Sequence, residues 1–377
     1  MKIAVNTARV LVGLLFIFSG LIKANDPLGL SYKMQEFFDL WHFSALNDYS
    51  LWFSIFIIAF EIIAGVALLL GWQMKLFSWL LLLLIIFFTF LTGYAYFSDK
   101  FRNCGCFGDC IPITPQTSFL KDIALTLLIA FLFWQQKRIK PVLSKTAGFL
   151  SMLAVTAFSF GIQWYMLHYL PVMDCLPFKN KNNISEQMKV PAGAIPDSTV
   201  INFVYEKEGK EIEFTADNFP ADFNDSTYHF KKRYDKVIRK GKNNEAPIKS
   251  FVLTGTDQNA DSAAIVLSQP YAILLICEDP STTISGWGKS FAEIFSVAKQ
   301  KNIPVYAITS VRDAALMAFS KTNFADIPVF SCDNVTIRTA ARTNPCVYII
   351  EKGTIINKQS YKRMDKIVDH LKKLSTP

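Results

Sequence analysis

No Ser-His-Asp set, phosphate-cradling glycine loop or histidine-rich metal site occurs in this sequence, which has only 4 histidines. Nothing therefore points to triad hydrolysis or P-loop nucleotide chemistry. Cysteine is sparse as well: 7 in 377 residues cannot build a disulfide-dense scaffold. Lys and Arg outnumber Asp and Glu, giving a net charge of +8. A large basic face with interleaved aromatics, which nucleic acid would require, is missing. Many of the cations instead flank apolar runs, where they set membrane topology.

What the chain has is hydrophobic length. Apolar residues make up 51% of it, with 33 Phe, and they crowd into the first 170 positions. Residues 1–172 read as a membrane bundle with spans at about 5–22, 51–72, 76–97, 117–134 and 146–170, close to the ~20 residues that cross the hydrocarbon. Lys2, Arg9 and the small residues Ser19-Gly20 would also suit a cleaved signal peptide. The further spans make an uncleaved first helix the simpler reading. After it, Met34, Phe37, Phe38 and Trp41 recur at helical spacing. That helix either lies in the membrane interface or packs on the bundle. Thr114-Pro115 suits an N-cap followed by Pro at the first helical position. The fourth span opens on Lys121-Asp122, so its end is expected to be wet.

The short basic turn with Lys137, Arg138, Lys140 and Lys145 is expected to be cytoplasmic. Five spans then put the N-terminus in the cytoplasm. Residues 23–50, the loop after the third span and everything past residue 170 fall on the outer side. In a bacterium this is the cytoplasmic (inner) membrane, with the C-terminal domain in the periplasm and lipid around the spans. Residues 173–246 read as a linker with a β-hairpin at 199–205 and 211–215. Residues 247–377 alternate strands and helices, the pattern of a soluble α/β domain.

The chemistry concentrates in one loop, Asn103-Cys104-Gly105-Cys106-Phe107-Gly108-Asp109-Cys110. Outside the cytoplasm disulfides persist. Two cysteines separated by one glycine close only a small, strained ring, and strained disulfides tend to be labile or catalytic. Cys104, Cys106, Cys110 and Cys175, on the same side just past the fifth span, allow three full pairings. They are redox candidates. The alternatives are two structural disulfides clamping the loop, or a zinc cluster. Glu61 lies in the second span, about 15 Å from its outer end at ~1.5 Å per residue. A carboxyl at that depth is a candidate proton relay, or it locks helix packing through Thr89 or Thr92. Arg9 and Lys23 are ionic partners whose depths match poorly. His168 is an interface residue with a lesser claim. Cys277, Cys332 and Cys346 read as small buried hydrophobes, with a Cys332–Cys346 disulfide an open option. A transporter is a weaker reading, since no inverted repeat is visible.

Two resemblances add to this. Phe18-Ser19-Gly20-Leu21-Ile22-Lys23 with Asp26-Pro27, Glu61 with Gly65 and Gly71, and above all Cys104-Gly105-Cys106-Phe107-Gly108 resemble the DoxX-like membrane family. The resemblance is strongest to its branch near the methylamine-utilisation protein E (MauE) group, over roughly residues 1–135. It implies disulfide formation in an exported protein and, from the DoxX side, quinone-linked sulfur chemistry. The disulfide-generating DsbB and vitamin K epoxide reductase families are analogous only as a helix bundle plus a cysteine loop. The strand at 272–277, and Thr343-Asn344-Pro345 before a later strand, resemble thioredoxin-like domains of the TlpA and peroxiredoxin type. That implies a cis-proline at Pro345. Where those families carry Cys-x-x-Cys, this chain has Glu278-Asp279-Pro280-Ser281-Thr282-Thr283. The whole resembles the Bacteroidetes fusions of a DoxX-like bundle with a thioredoxin-like domain. The expected fold is thus a multi-pass α-helical membrane bundle plus a soluble α/β thioredoxin-like domain. Two functions are open. One is a thiol–disulfide oxidoreductase that serves an exported partner and is linked to a membrane quinone. The other is a non-enzymatic membrane subunit or scaffold, within a membrane complex, presenting a redox-dead domain.

Overall fold

The computed structural model describes residues 1–98, 105, 107–239, 241, 243–257 and 260–374. The first half is helical: α1 (Lys2–Asn25), α2 (Pro27–Leu40), α3 (Ser50–Leu70), α4 (Met74–Ser98), α5 (Pro115–Gln135) and α6 (Lys145–Tyr169). All but α2 are long and apolar enough to cross a membrane. They form a multi-pass bundle. Thr114 caps α5, accepting the Thr117 amide at 3.2 Å, with Pro115 next to it. α2 packs on the bundle: Phe37 is buried, and Trp41 meets Phe90 and Tyr94 with ring centroids 6.0 and 5.4 Å apart.

α1 and α3 approach closely because glycines face the contact. A Cβ on Gly65 would fall 2.7 Å from the Gly13 carbonyl oxygen, and one on Gly20 would fall 2.6 Å from Ile62 and 3.2 Å from the Glu61 Cβ. This closeness sets the site described below.

The second half continues through α7 (Ile184–Gln187), β1 (Ser198–Lys207), β2 (Lys210–Thr215), β3 (His229–Arg239), α8 (Ala263–Leu267), β4 (Ala272–Ile276), α9 (Pro280–Gln300), β5 (Val305–Thr309), α10 (Arg312–Phe319), β6 (Val329–Ser331), α11 (Asn334–Ala340), β7 (Cys346–Glu351), β8 (Thr354–Ser360) and α12 (Met364–Lys373). A five-stranded sheet has the order β6-β5-β4-β7-β8, with β4, β5 and β6 parallel and β7 and β8 antiparallel. β4 is buried at every residue. Its alternate side chains feed two cores: Leu274 and Ile276 on one face, Ile273 and Leu275 on the other with Trp287, Phe291 and Ile367. A strand covered on both faces has no polar alternation, as its sequence showed. The expected α/β architecture is therefore present.

The segment read as a linker departs from that reading in two ways. Phe178 and Ile184 are buried in the α/β core, and the Ile184 amide bonds the Gly353 carbonyl at 2.9 Å. The hairpin of β1 and β2 gains a third strand, β3, on the other side of β1. β3 is exposed along its whole length, so its charged sequence has no buried face to reveal it as a strand.

Candidate functional site

One end of the bundle carries α2, the cysteine loop between α4 and α5, and the chain leaving α6. Just inside that end, the α1–α3 contact brings Lys23 Nζ to 2.5 Å from Glu61 Oε1, both side chains buried. Ser19 Oγ donates to Glu61 Oε2 at 3.0 Å. Lys23 also lies over the Phe88 ring, 5.1 Å from its centroid. The expected depth mismatch is thus overturned: close packing at Gly20 and a long lysine side chain bridge it. Thr89 and Thr92 do not serve Glu61. Thr89 bonds Thr126, and Thr92 Oγ1 donates to Asp122 Oδ2 at 3.0 Å.

Asp122 is the second correction. Its end of α5 was expected to be wet, yet Asp122 is 1% exposed. Lys121 Nζ sits 2.6 Å from its Oδ1. Glu61 and Asp122 both line a cleft of about 70 Å³, together with Lys23, Lys121, Phe88 and two residues of the cysteine loop, Gly105 and Phe107. Burying unpaired charge is costly, so each carboxylate keeps a lysine beside it. The cleft offers hydrogen-bond donors and acceptors within apolar walls.

In the loop, Cys104 and Cys106 lie outside the described residues. Gly105 and Gly108 have positive φ, and the Gly108 amide closes a turn onto the Gly105 carbonyl. Cys110 and Cys175 are joined in a disulfide. Their sulfurs are therefore not thiolate ligands for zinc. Cys110 is half-buried and Cys175 is exposed. The bond ties the loop to the chain just past α6.

Arginines of the α/β unit complete this end. Arg342, 4% exposed, donates from Nε to Asp26 at 2.8 Å and from Nη2 to Asp109 at 3.0 Å. Asp26 is the N-cap of α2, and Asp109 adjoins Cys110. Arg338 donates from Nε and Nη2 to Glu278 and from Nη1 to Gln35 of α2 at 2.9 Å. Both guanidinium groups lie over the Tyr32 ring, at 5.0 and 5.2 Å. Burial pushes the Tyr32 phenol up to about 12, against the pull of the nearby Arg342. Lys358 pairs with Asp174 at 2.7 Å, and Asn25 exchanges two hydrogen bonds with the Met173 backbone. His168 bonds back to the Trp164 carbonyl of its own helix.

The remaining cysteines differ. Cys277, Cys332 and Cys346 are buried and free, so the Cys332–Cys346 pairing does not form. Burial pushes each thiol up to about 12. Cys277 Sγ donates to Asn344 Oδ1 at 2.7 Å, and Cys346 Sγ donates to the Gln359 carbonyl at 3.3 Å. The Asn344–Pro345 peptide is cis. The Glu278 amide donates to Asn344 Oδ1 at 3.1 Å, and its carboxylate accepts from Arg338.

Sequence reasoning missed Asp122, Arg338 and Arg342 as parts of the site. Arg338 lies in α11 and Arg342 just past its extended C-cap Ala341, so their i, i+4 spacing gave no helical-face signal.

A family model described as "Methylamine utilisation protein MauE" matches residues 1–135. A second, "Domain of unknown function (DUF8463)", matches residues 199–240, the three-stranded sheet. "Protein TlpB" of Flavobacterium psychrophilum is 30% identical over 131 residues, which is 34% of this chain and 36% of that protein's length. No solved structure matches the chain. Residues 1–135 are thus similar to MauE proteins.

Proposed function

We propose that the protein is a membrane thiol–disulfide oxidoreductase whose cysteine loop oxidises an exported protein. The observation that carries this is the Cys110–Cys175 disulfide, in which Cys175 is exposed and Cys110 lies on the same loop as Cys104 and Cys106, next to a cleft with two buried carboxylates. The similarity to MauE-like proteins and to a protein named TlpB supports a membrane setting for such chemistry. The basic turn at Lys137 to Lys145 supports a reading in which the cysteine end lies outside the cytoplasm, in the periplasm of a bacterial inner membrane. The strand order and the cis-proline support reading the α/β unit as thioredoxin-like and without a redox pair of its own. It then seats the partner or the loop through Arg338 and Arg342.

Oxidising a dithiol releases two electrons and two protons, which need an acceptor. A membrane quinone supplies that capacity when bound, as an acceptor of both. The residues fit it in chemistry: Lys23, Lys121, Glu61 and Asp122 surround a cleft with apolar walls. The cleft is about 70 Å³, smaller than the ~150 Å³ cavity that takes up benzene, so Phe88 or Phe107 must shift for a ring to enter. In this reading Glu61 and Asp122 hold and pass protons at their carboxyl oxygens, and Lys23 and Lys121 hold the two carboxyl groups in place.

Purified protein in lipid nanodiscs, given a reduced dithiol peptide and a soluble quinone, should oxidise the peptide with quinone consumed in equal amount. Peptide left reduced would sink the reading. A second reading, a non-enzymatic scaffold with Cys110–Cys175 as a staple, draws on the three inert thiols of the α/β unit. It predicts that Cys110→Ser/Cys175→Ser lowers folded yield yet leaves the surviving protein functional.

A further inference from the structure

A groove of about 430 Å³ runs between the bundle and the α/β unit. One wall is α2, through Lys33, Gln35 and Glu36; the other is α11, through Val335, Arg338 and Thr339. Cys175 lies in its side, and Arg342 and Asp109 lie in it as well. The volume falls within the ~300–1,000 Å³ of ordinary ligand clefts.

The geometry points to this groove as the docking site for an extended peptide segment of an exported protein that carries a reduced cysteine, with Cys175 as the sulfur it attacks. The inference rests on the oxidoreductase reading above and gives its partner and its direction. Three observations carry it. First, the two cysteines are not equivalent: Cys175 is an exposed residue that lines the groove, whereas Cys110 is half-buried and does not line it. Attack needs access along the disulfide, so the exposed cysteine receives the nucleophile and the half-buried one leaves. Second, the walls are mixed in character. Lys33 and Glu36 pair at 2.8 Å, Arg338 is held by Glu278 and Gln35, and Val335 is 71% exposed. Walls of balanced charge with an apolar side chain suit a peptide backbone and its side chains better than a phosphate or a polyanion. Third, Lys33 lines both this groove and the buried cleft, with its stem against Gly105. Lys33 is thus shared by the partner site and the interior.

The exchange balances as follows. The peptide thiolate bonds to Cys175 Sγ as the Cys175–Cys110 bond breaks, leaving Cys110 as a thiolate. A second peptide thiolate then attacks the peptide sulfur of the mixed disulfide and releases Cys175. The peptide loses two electrons and its two thiol protons, and Cys110 and Cys175 end as thiols. A membrane quinone is the oxidant class that restores the disulfide, taking up the same electrons and protons.

The test uses the full chain in nanodiscs and a peptide bearing one cysteine activated as its thionitrobenzoate disulfide. Labelling of each sulfur is located by mass spectrometry. Cys175 in the Cys110→Ser variant should be labelled about ten-fold faster than Cys110 in the Cys175→Ser variant. Equal rates, or the reverse order, overturn the assignment. Val335→Trp, which narrows the groove and leaves the disulfide intact, guards against misfolded cysteine variants. It should lower reduction by a dithiol peptide about five-fold relative to reduction by dithiothreitol. An unchanged ratio overturns the groove. A wild-type disulfide that no dithiol peptide reduces defeats the oxidoreductase reading itself, an outcome distinct from a misassigned sulfur or groove.

Discussion

At the end of the bundle and in the α/β unit, cysteines and ionisable groups are both withdrawn from water, with opposite results. In the bundle, Glu61 and Asp122 are nearly inaccessible, yet each has a lysine within 2.6 Å. The neighbouring sulfurs of Cys110 and Cys175 are bonded to each other. In the α/β unit, Cys277 and Cys346 meet neutral hydrogen-bond acceptors, Asn344 and the Gln359 carbonyl, and burial holds the thiols protonated. Lys358 acts on Cys346 in the opposite direction but does not offset that burial. A group out of water keeps its charge only where an opposite charge is built beside it. The buried carboxylates of the bundle have that arrangement, whereas the buried thiols of the α/β unit do not, and burial keeps those thiols protonated.

The contrast is broken most severely by removing one member of the buried pair. Lys23→Met leaves Glu61 buried without its cation and should cost about 3–5 kcal/mol in thermal unfolding. Lys23→Met/Glu61→Met should recover most of that. A double variant as unstable as the single one would mean that the pair is not what holds α1 to α3. Next comes the contact between the two regions. Arg342→Ala leaves Asp26 and Asp109 without their shared donor, a loss of about 2–3 kcal/mol for charged hydrogen bonds. Hydrogen exchange at the start of α2 and around Asp109 should speed up, and protection there equal to wild type would count against the clamp.

The thiols sharpen the other side. The folded pKa of Cys277, Cys332 and Cys346, about 12, lies above the reference value of 9.0 for a free thiol. Below about pH 9 both states are protonated and the contribution to stability is complete. As pH rises toward 12 the unfolded thiols ionise first, and that stability is lost. Urea unfolding followed from pH 8 to 11 should show a decline that Cys277→Ala/Cys332→Ala/Cys346→Ala flattens. The smallest effect is at the start of α5: Thr114→Ala removes one cap and should cost about 1 kcal/mol, with no change at the disulfide.

How much of this was legible in the sequence follows from which forces are local. The five spans needed only length and hydropathy, and the α5 start needed only Thr114-Pro115. The strand at β4 showed as an unbroken apolar run. The Lys23–Glu61 pair was not legible, because depth counted along two helices says nothing of how closely Gly20 and Gly65 let them approach. Asp122 read as wet from its place beside Lys121, whereas the cover supplied by Thr92 comes from another helix. Arg338 and Arg342 sit more than 200 residues from Gln35, Asp26 and Asp109, a pairing that no spacing rule reaches. β3 escaped because a strand exposed on both faces leaves no period-2 signature.

The most direct test of the central claim is differential alkylation of the protein in intact cells, with mass spectrometry of each cysteine before and after a brief dithiol pulse. The account predicts that Cys110 and Cys175 are recovered as a linked pair, open to thiols during the pulse and relink when it ends. Cys277, Cys332 and Cys346 should remain reduced throughout. A Cys110–Cys175 bond that never opens while the protein is functioning would contradict it and leave the bundle end a staple.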